Sequence, residues 1–245
     1  MVTENDPNQA SESGGATDSL SLREKVCYGI GDASFGVAVS SVGFWLLIYL
    51  TDVAGLGALY AGIAIMIGRV WDAVTDPVMG WITDHTKTRW GKRRPYLLFG
   101  AIPYAIAFFS LWVVPDFKNE VLIFAYVTVT LLIFNTALTV VFVPYTSLTA
   151  AITQDYNERT SLTGFRMTFG QISFLIGAAI PSALVLWISS GGALEVLDSI
   201  GQLSLFGGAW PSTARHAYFL MALIFAIIII ATIWTTFLGT TERDL

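Results

Sequence analysis

The sequence predicts an all-α membrane protein that crosses the bilayer six times, and composition and hydropathy are the observations that lead to this fold class. Of its 245 residues, 54% are hydrophobic and only 13% are charged, and the mean hydropathy is +0.64. A soluble domain carries about a quarter of its residues as charges, so this chain is not a soluble globule with a large core. Six apolar stretches are long enough to cross ~30 Å of hydrocarbon as helices.

The six apolar stretches define one domain, a helical bundle over residues 23–241. They are expected near residues 26–50, 56–82, 95–114, 121–152, 162–188 and 217–238. The first 22 residues are polar, acidic and rich in Ser, Gly and Ala. They have neither the basic nor the apolar region of a signal peptide, so they predict a disordered tail, and residues 242–245 form a short end after the last span.

Basic residues outside the spans are distributed unevenly between the two sides of the membrane. One side receives nine of them, namely Arg23, Lys25, Lys87, Arg89, Lys92, Arg93, Arg94, Arg159 and Arg243. The other side receives only Lys118 and Arg215. Because Lys- and Arg-rich loops stay in the cytoplasm, we expect a multi-pass protein of the plasma (inner) membrane with both termini cytoplasmic. Lipid is then its surrounding partner, and the absence of a separate basic domain argues against nucleic-acid binding.

Three charged residues, Arg69, Asp72 and Asp76, lie inside the second span. Their spacing places them within a narrow arc of one helix face, because each residue turns a helix by about 100°. A charge at the bilayer centre costs at least ~2.5–3.5 kcal/mol, so such residues usually mark an ion or solute pathway. Two carboxylates one turn apart offer hard oxygen ligands for Na⁺ or can carry a proton. The alternative is a purely structural Arg–Asp cluster.

The segment that follows the second span carries an ordered set of glycines and charges, namely Gly80, Asp84, Arg89, Gly91, Arg93 and Arg94. Gly80 lies four residues before Asp84 and permits close approach of another helix at this end of the span. The carboxylate and the basic run can form charge pairs that hold a bundle in one conformation. The alternative is that the basic residues only set the topology.

Five segments of the chain resemble a known family of transporters. They are KVCYGIG (residues 25–31), YLTDVAGL (49–56), RVWDAVTDPVMGW (69–81), RWGKRRPY (89–96) and ERTSLTGFR (158–166). The loop after the second span resembles the signature loop of the major facilitator superfamily. The whole set resembles the glycoside–pentoside–hexuronide:cation symporters, and the resemblance runs from about residue 23 to residue 245.

The resemblance implies a transport function and roles for single residues. Asp72 and Asp76 match the paired carboxylates of the family's coupling-cation site, for Na⁺ or H⁺, and Thr139 matches a hydroxyl that completes it. Arg166 matches an arginine near the sugar and the carboxylates, and Arg69 becomes a structural or gating counter-charge. No cofactor is implied other than the coupling ion. From the residues alone, Thr139 can equally donate to a backbone carbonyl of its own helix.

Two positions depart from the family pattern. The best-known member has acidic sugar ligands in its first and fourth spans, where Gly36 and Phe142 stand here. Asp32 lies one turn before Gly36 and can replace that acid in part, or it can pair with Arg166. Phe142 and Tyr145 can stack on a sugar ring, although packing is the commoner fate of aromatic side chains. We therefore expect a substrate pathway that includes Asp32, Phe142, Tyr145 and Arg166.

The length of the chain also departs from the family. Family members have twelve helices in two six-helix halves that are related by an axis along the membrane normal. This chain resembles the first half, so we expect a second copy of it, or a separate six-helix half, to complete the fold. The predicted function is half-size, cation-coupled symport of a sugar, glycoside or similar small polar solute by alternating access. The alternative is a non-transporting scaffold, sensor or partner subunit, and no enzyme is expected because motifs such as HExxH and GxSxG do not occur.

Overall fold

The computed structural model describes residues 20–189 and 213–242, and these residues form six long helices without a strand. The helices are α1 (Leu22–Ile48), which continues through one π-helical turn (Tyr49–Val53), α2 (Ala58–His85), α3 (Arg94–Leu111), α4 (Glu120–Ile152), α5 (Tyr156–Ser189) and α6 (Thr213–Gly239). All six are long and apolar enough to cross a membrane, which confirms the predicted fold class. Residues 1–19 of the predicted disordered tail and residues 243–245 lie outside the described residues.

The helix bounds differ from the expected spans by up to six residues, and the start of α5 and the end of α3 show the physical reasons. Helix α5 begins six residues before position 162. Its first turn is charged, but the Asp155 side chain caps it by accepting a hydrogen bond of 2.8 Å from the Glu158 backbone N–H. Helix α3 ends at Leu111, before position 114. There the Tyr49 hydroxyl donates to the Trp112 carbonyl at 2.7 Å and satisfies a backbone group at the helix end.

The helices pack in a row whose spatial order is α2, α4, α3, α6, α1 and α5. The largest contact in this row joins α1 to α5, and α6 touches both of them. Helices α1 and α4 approach each other across the row mainly through side chains. The two outermost helices, α2 and α5, leave most of their residues exposed or half-buried in this chain.

Charge pairs tie the ends of the helices together. Lys25 at the start of α1 pairs with Glu158 at the start of α5, with 2.7 Å between Nζ and Oε2. At the other end, Arg215 pairs with Asp116 and donates to the Val53 carbonyl at 3.1 Å. We call the end at which α1, α3 and α5 begin the basic end, because its side chains include Arg23, Lys25, Lys87, Arg89, Lys92, Arg93, Arg94 and Arg159.

Glycine lets α1 and α5 approach each other closely near the middle of the bundle. A Cβ atom built on Gly36 would lie 2.6 Å from the Gly170 carbonyl oxygen and 2.9 Å from the Phe174 backbone nitrogen. Backbone atoms cannot turn aside as a flexible side chain can, and small residues are what allow such approach between membrane helices. An acidic side chain at position 36 therefore has no room in this packing.

Candidate functional site

Thr139 on α4 lies between the two carboxylates of α2. Its hydroxyl oxygen is 2.8 Å from Asp76 Oδ1 and 3.3 Å from Asp72 Oδ1. The hydroxyl has a single hydrogen, so it donates to one carboxylate at a time, and the shorter distance favours Asp76. The Thr139 side chain is only 1% exposed. Of the two expectations for this residue, the contact with the carboxylates is the one that the structure shows.

The two carboxylates and the hydroxyl form a compact group of oxygen atoms. Asp72 is half-buried, whereas Asp76 is exposed on the uncovered face of α2. Carboxylate and hydroxyl oxygens are ligands that hard cations prefer. Arg69, on the same helix, interacts electrostatically with Asp72, so the two carboxylates and this guanidinium carry one net negative charge that a single cation or proton can neutralise. Within the described ranges there is no cluster of three or more His, Cys, Asp or Glu side chains that could hold a metal ion.

Two further contacts between α2 and α4 were not predicted from the sequence. Asn135 Nδ2 donates to the Gly68 carbonyl at 2.7 Å, and Trp71 Nε1 donates to Thr136 Oγ1 at 2.9 Å. Together with Thr139 they hold α2 against α4 along more than a helical turn. Asn135 could have indicated this contact, because an amide inside an apolar span needs a polar partner in a neighbouring helix.

A second charged contact joins α1 to α5. Arg166 Nε lies 3.9 Å from Asp32 Oδ1, and the two side chains are 21% and 20% exposed. Gly170, one turn further along α5, leaves the space that the Asp32 carboxylate occupies. Arg166 thus has the partner in the bundle that a charge in an apolar span requires. Pairing with Arg166, which was one of the two expectations for Asp32, is realised in the structure.

Aromatic side chains join α1 to α4 beside this ion pair. The Tyr145 hydroxyl donates to the Tyr28 carbonyl at 2.7 Å, and the Tyr28 hydroxyl donates back to the Tyr145 carbonyl at 3.2 Å. Tyr145 is 1% exposed, so it is part of the helix contact and is not on the open face. Phe142 is 38% exposed and packs edge-on against Phe35, with 4.9 Å between the ring centroids. Of the two aromatic residues placed in the substrate pathway, only Phe142 offers an accessible ring.

The charged and aromatic groups lie at a common depth. Asp32 and Arg166 are each ten residues from the start of their helices at the basic end, and Phe142 is ten residues from the end of α4. Asp76 is nine residues from the end of α2. At 1.5 Å per residue these offsets correspond to about 15 Å of helix from the basic end. The charged and aromatic groups therefore lie at one level within the apolar helices.

Four of the residues predicted to act in gating, Arg69, Gly80, Asp84 and Arg89, lie on the open surface of α2 and the following loop. Arg69, Asp84 and Arg89 are exposed, and none of them forms an ion pair within 4.0 Å among the described residues. Arg89 instead lies over the Trp90 ring, 4.6 Å from its centroid. A Cβ atom built on Gly80 would meet nothing within 4 Å. The charge pairs expected between Asp84 and the basic run are therefore not formed within this part of the chain, and Gly80 is open to a further helix.

The remaining gating residues contact the end of α6. Arg93 Nη1 is 3.7 Å from Glu242 Oε1, and the Arg93 backbone N–H donates to Glu242 Oε2 at 3.3 Å. Gly91 has a φ of +102°, a conformation that favours glycine, and a Cβ atom there would overlap the Glu242 carboxylate. Arg94 Nη2 donates to the Phe237 carbonyl at 2.7 Å. These residues tie the α2–α3 loop to α6, a contact that the sequence did not predict.

Comparison with known proteins identifies relatives that are transporters. A family model described as MFS/sugar transport protein matches residues 27–245. The chain is 40% identical over 178 residues to the uncharacterized symporter sll1374 of Synechocystis sp., a match that covers 71% of this chain and 32% of that protein. It is 34% identical over 233 residues to the sodium-dependent lysophosphatidylcholine symporter 1 of Mus musculus (91% and 43%). It is 35% identical over 170 residues to the inner membrane symporter YicJ of Escherichia coli (69% and 36%).

The chain aligns with the N-terminal part of these longer proteins. It covers 32%, 43% and 36% of their lengths, so it spans less than half of each. Its six apolar helices make it an integral, multi-pass membrane protein, and the proteins that it matches are transporters, not enzymes. Because the family model covers nearly all of the bundle, the chain belongs to the MFS/sugar transport protein family and corresponds to the N-terminal six-helix half of a major facilitator fold.

Proposed function

We propose that this chain is the cation-binding half of a Na⁺-coupled symporter. The observation that carries the proposal is the Thr139 hydroxyl, which lies between Asp72 and Asp76 inside the apolar bundle. Two carboxylates and a hydroxyl supply the hard oxygen ligands that Na⁺ prefers. The name of the mouse relative includes sodium dependence, which supports Na⁺ over H⁺ as the coupling ion in this chain.

Coupling follows from the electrostatics of the uncovered face of α2. Without a cation, two carboxylates share one hydroxyl donor, and covering them with a second half in lipid is costly. A bound Na⁺ neutralises the one negative charge that remains when Arg69 is counted with the two carboxylates, and it makes closure of the two halves more favourable. The halves then rock around a site at mid-depth, which is alternating access. Helix α4 connects the two functions, because it carries Thr139 and, one turn later, Phe142.

The solute of this proposal is a sugar, a glycoside or a similar small polar molecule. Asp32 and Arg166 present an acceptor and donors at one point, and the accessible face of Phe142 lies at the same depth. Hydroxyl groups of a sugar can bond to the ion pair while its apolar face stacks on the aromatic ring. Since position 36 has no room for an acid, the Asp32 carboxylate is the acidic sugar ligand in this arrangement.

A lysophospholipid is the second candidate solute. Its zwitterionic headgroup matches the opposite charges of Asp32 and Arg166, and Phe142 supplies apolar surface beside them. The printed name of the mouse relative, a lysophosphatidylcholine symporter, supports this candidate. Competition separates the two solutes: binding of a labelled glycoside that lysophosphatidylcholine does not displace favours the sugar.

A second six-helix half completes the transporter in this proposal. Asp76 and Gly80 lie on the uncovered face of α2, and α5 is similarly uncovered at the other end of the row. A parallel twofold arrangement permits either a second copy of this chain or a separate half. The mass of the chain in lipid nanodiscs distinguishes a homodimer from a monomer that needs a different partner. In either assembly the positive-inside rule places the basic end, and both termini, in the cytoplasm.

The cation site is tested with Asp76→Asn in the purified 245-residue chain. We expect NaCl, compared with choline chloride, to raise the unfolding temperature of the wild-type chain, because a ligand at about 100 times its Kd stabilises by ~2.7 kcal/mol. Asp76→Asn removes this Na⁺ effect while the chain stays folded. Asp52→Asn is the matched control. Asp52, like Asp76, is an exposed carboxylate, but it lies in the π-helical turn after α1, far from Thr139 in the chain.

Three results of this test lead to different conclusions. Equal Na⁺ stabilisation of wild type and Asp76→Asn contradicts the assignment of the site. A wild-type chain that responds to pH but not to Na⁺, with the response lost in Asp76→Asn, makes the coupling ion a proton. A chain that responds to neither supports the non-transporting scaffold, sensor or partner subunit.

A further inference from the structure

An apolar groove runs along the outside of the bundle between α2, α3 and α4. Its volume is about 740 Å³, within the range of ~300–1,000 Å³ that is typical of small-molecule sites. Its walls include Trp71 on α2, Phe99 and Pro103 on α3, and Ile133 and Ala137 on α4. The residues of the proposed cation site do not line it. The groove is therefore separate from that site, and Trp71, Phe99 and Ile133 in its walls are exposed on the surface of this chain.

The polar side chains in the walls of the groove already have partners in the protein. Trp71 Nε1 donates to Thr136 Oγ1 at 2.9 Å, and the hydroxyl oxygens of Tyr96 and Thr86 are 2.5 Å apart. The Thr88 hydroxyl donates to a backbone carbonyl of its own loop at 2.6 Å. Because these groups are satisfied, the groove favours hydrocarbon over a polar solute.

One end of the groove opens at the α2–α3 loop, which is strongly basic. Lys87, Arg89 and Lys92 are exposed there, and none forms an ion pair within 4.0 Å among the described residues. The Arg89 guanidinium lies over the Trp90 ring, and this ring is 6.0 Å from the Phe99 ring, which is part of the groove wall. The mouth of the apolar groove is thus bordered by free positive charge.

We propose that this groove binds one acyl chain of an anionic phospholipid, whose phosphate lies at Lys87, Arg89 and Lys92. The lining on α3 runs from Pro95 to Pro103, which is about 12 Å of helix and fits within one leaflet of a ~30 Å bilayer. Three cations outnumber the single exposed carboxylate of the preceding helix end, Asp84, so an anionic headgroup is preferred over a zwitterionic one. With the basic end in the cytoplasm, the groove faces the leaflet that contains most anionic lipid.

The test is native mass spectrometry of the purified chain titrated with dioleoyl phosphatidylglycerol or dioleoyl phosphatidylcholine. We expect one retained phosphatidylglycerol, bound at least about tenfold more tightly than phosphatidylcholine, since each Lys or Arg near an anionic surface contributes roughly a fivefold preference. The triple variant Lys87→Gln, Arg89→Gln, Lys92→Gln reduces this preference to about twofold or less. Filling the groove with Ala137→Phe lowers retention of both lipids, and Ala137→Leu serves if the larger change prevents folding.

Matched controls separate this site from general lipid binding. Arg23→Gln with Lys118→Gln removes two other exposed cations, and Ala231→Phe enlarges an exposed alanine on α6 outside the groove. Both controls should retain phosphatidylglycerol as the wild type does. The proposal is overturned if the triple variant keeps the preference, or if the controls lose lipid as much as the test variants. It is also overturned if Ala137→Phe changes the oligomeric mass but not lipid retention, because a second copy of the chain would then cover the groove. None of these measurements depends on transport.

Discussion

The α1–α5 contact and the α2–α4 contact each contain charged groups at the same level of the bundle, but they are built differently. Between α1 and α5 the backbones themselves come close, because Gly36 leaves no space for a side chain beside α5. The charges there, Asp32 and Arg166, lie 3.9 Å apart and compensate each other. Between α2 and α4 polar side chains reach across from one helix to the other, as Asn135 does to the Gly68 carbonyl at 2.7 Å.

The difference shows which of the two contacts can respond to a ligand. Asp72 and Asp76 have a hydroxyl donor between them, but neither forms an ion pair within 4.0 Å among the residues described. Two carboxylates on α2 outnumber the single Arg69 charge beside them, whereas Asp32 and Arg166 balance, so a cation changes the energy of α2–α4 far more than that of α1–α5. Side-chain hydrogen bonds can also be remade when α2 moves, whereas a contact between backbones tolerates little displacement.

The largest effect is expected from Gly36→Ala, which breaks the close contact of α1 with α5. The added methyl group would lie 2.6 Å from the Gly170 carbonyl oxygen, so the helices must separate. Overpacking of this kind costs about 3 kcal/mol, at the upper end of the usual range. Unfolding of the purified chain in detergent, followed by circular dichroism against SDS concentration, measures the loss.

Gly43→Ala is the matched control for this change. Gly43 is seven residues further along α1, on nearly the same face, and a Cβ atom there meets nothing within 4 Å. Alanine should be neutral or stabilise the helix by up to ~1 kcal/mol. Equal destabilisation by Gly36→Ala and Gly43→Ala would show that α1 and α5 do not depend on this close approach.

An intermediate effect is expected from Thr139→Val, which removes the hydroxyl between the carboxylates of α2 at nearly constant volume. We expect Na⁺ affinity to fall about tenfold, equivalent to ~1.4 kcal/mol, because one oxygen ligand is lost and two carboxylates lose their donor. Thr128→Val is the control, since the Thr128 hydroxyl only donates to the Phe124 carbonyl of its own helix, at 2.8 Å. Isothermal titration calorimetry with NaCl in nanodiscs compares the Na⁺ affinities of Thr139→Val and Thr128→Val. Equal affinities would show that Thr139 is not part of the site.

The parts that could be predicted from the sequence are the local ones. Six spans follow from runs of apolar residues, and the shared face of Asp72 and Asp76 follows from helix periodicity, since both properties belong to one segment. The assignment of Thr139 to the cation site came from the family resemblance. Arg166 was expected to need an interior partner, and pairing with Arg166 was one of the expectations for Asp32. Their roles in transport remain predictions.

The parts that could not be predicted depend on how distant helices are aligned. Arg93 and Glu242 are 149 residues apart in the chain, and no local pattern indicates that they meet. Tyr145 is buried and Phe142 is exposed, although the two residues are less than one turn apart on α4. Because α4 is apolar on nearly all its faces, its sequence does not show which of the two faces the bundle. The space at Gly36 likewise becomes informative only when the opposite face of α5 is known.

The smallest effect is expected from Lys25→Met, which removes the charge pair at the basic end of the α1–α5 contact. Lys25 and Glu158 are 2.7 Å apart, but their side chains remain 15% and 17% exposed, so we expect a loss of about 0.5–1 kcal/mol at low ionic strength. The loss should shrink in 1 M choline chloride, where the screening length is ~3 Å; choline is used because added NaCl would fill the cation site and potassium precipitates dodecyl sulfate. Arg23→Met is the control, because Arg23 is exposed on the same helix and forms no ion pair within 4.0 Å among the described residues. If Lys25→Met cost as much as Gly36→Ala in the same SDS titration, the α1–α5 contact would be held by charge and not by close packing, and the contrast with α2–α4 would fail.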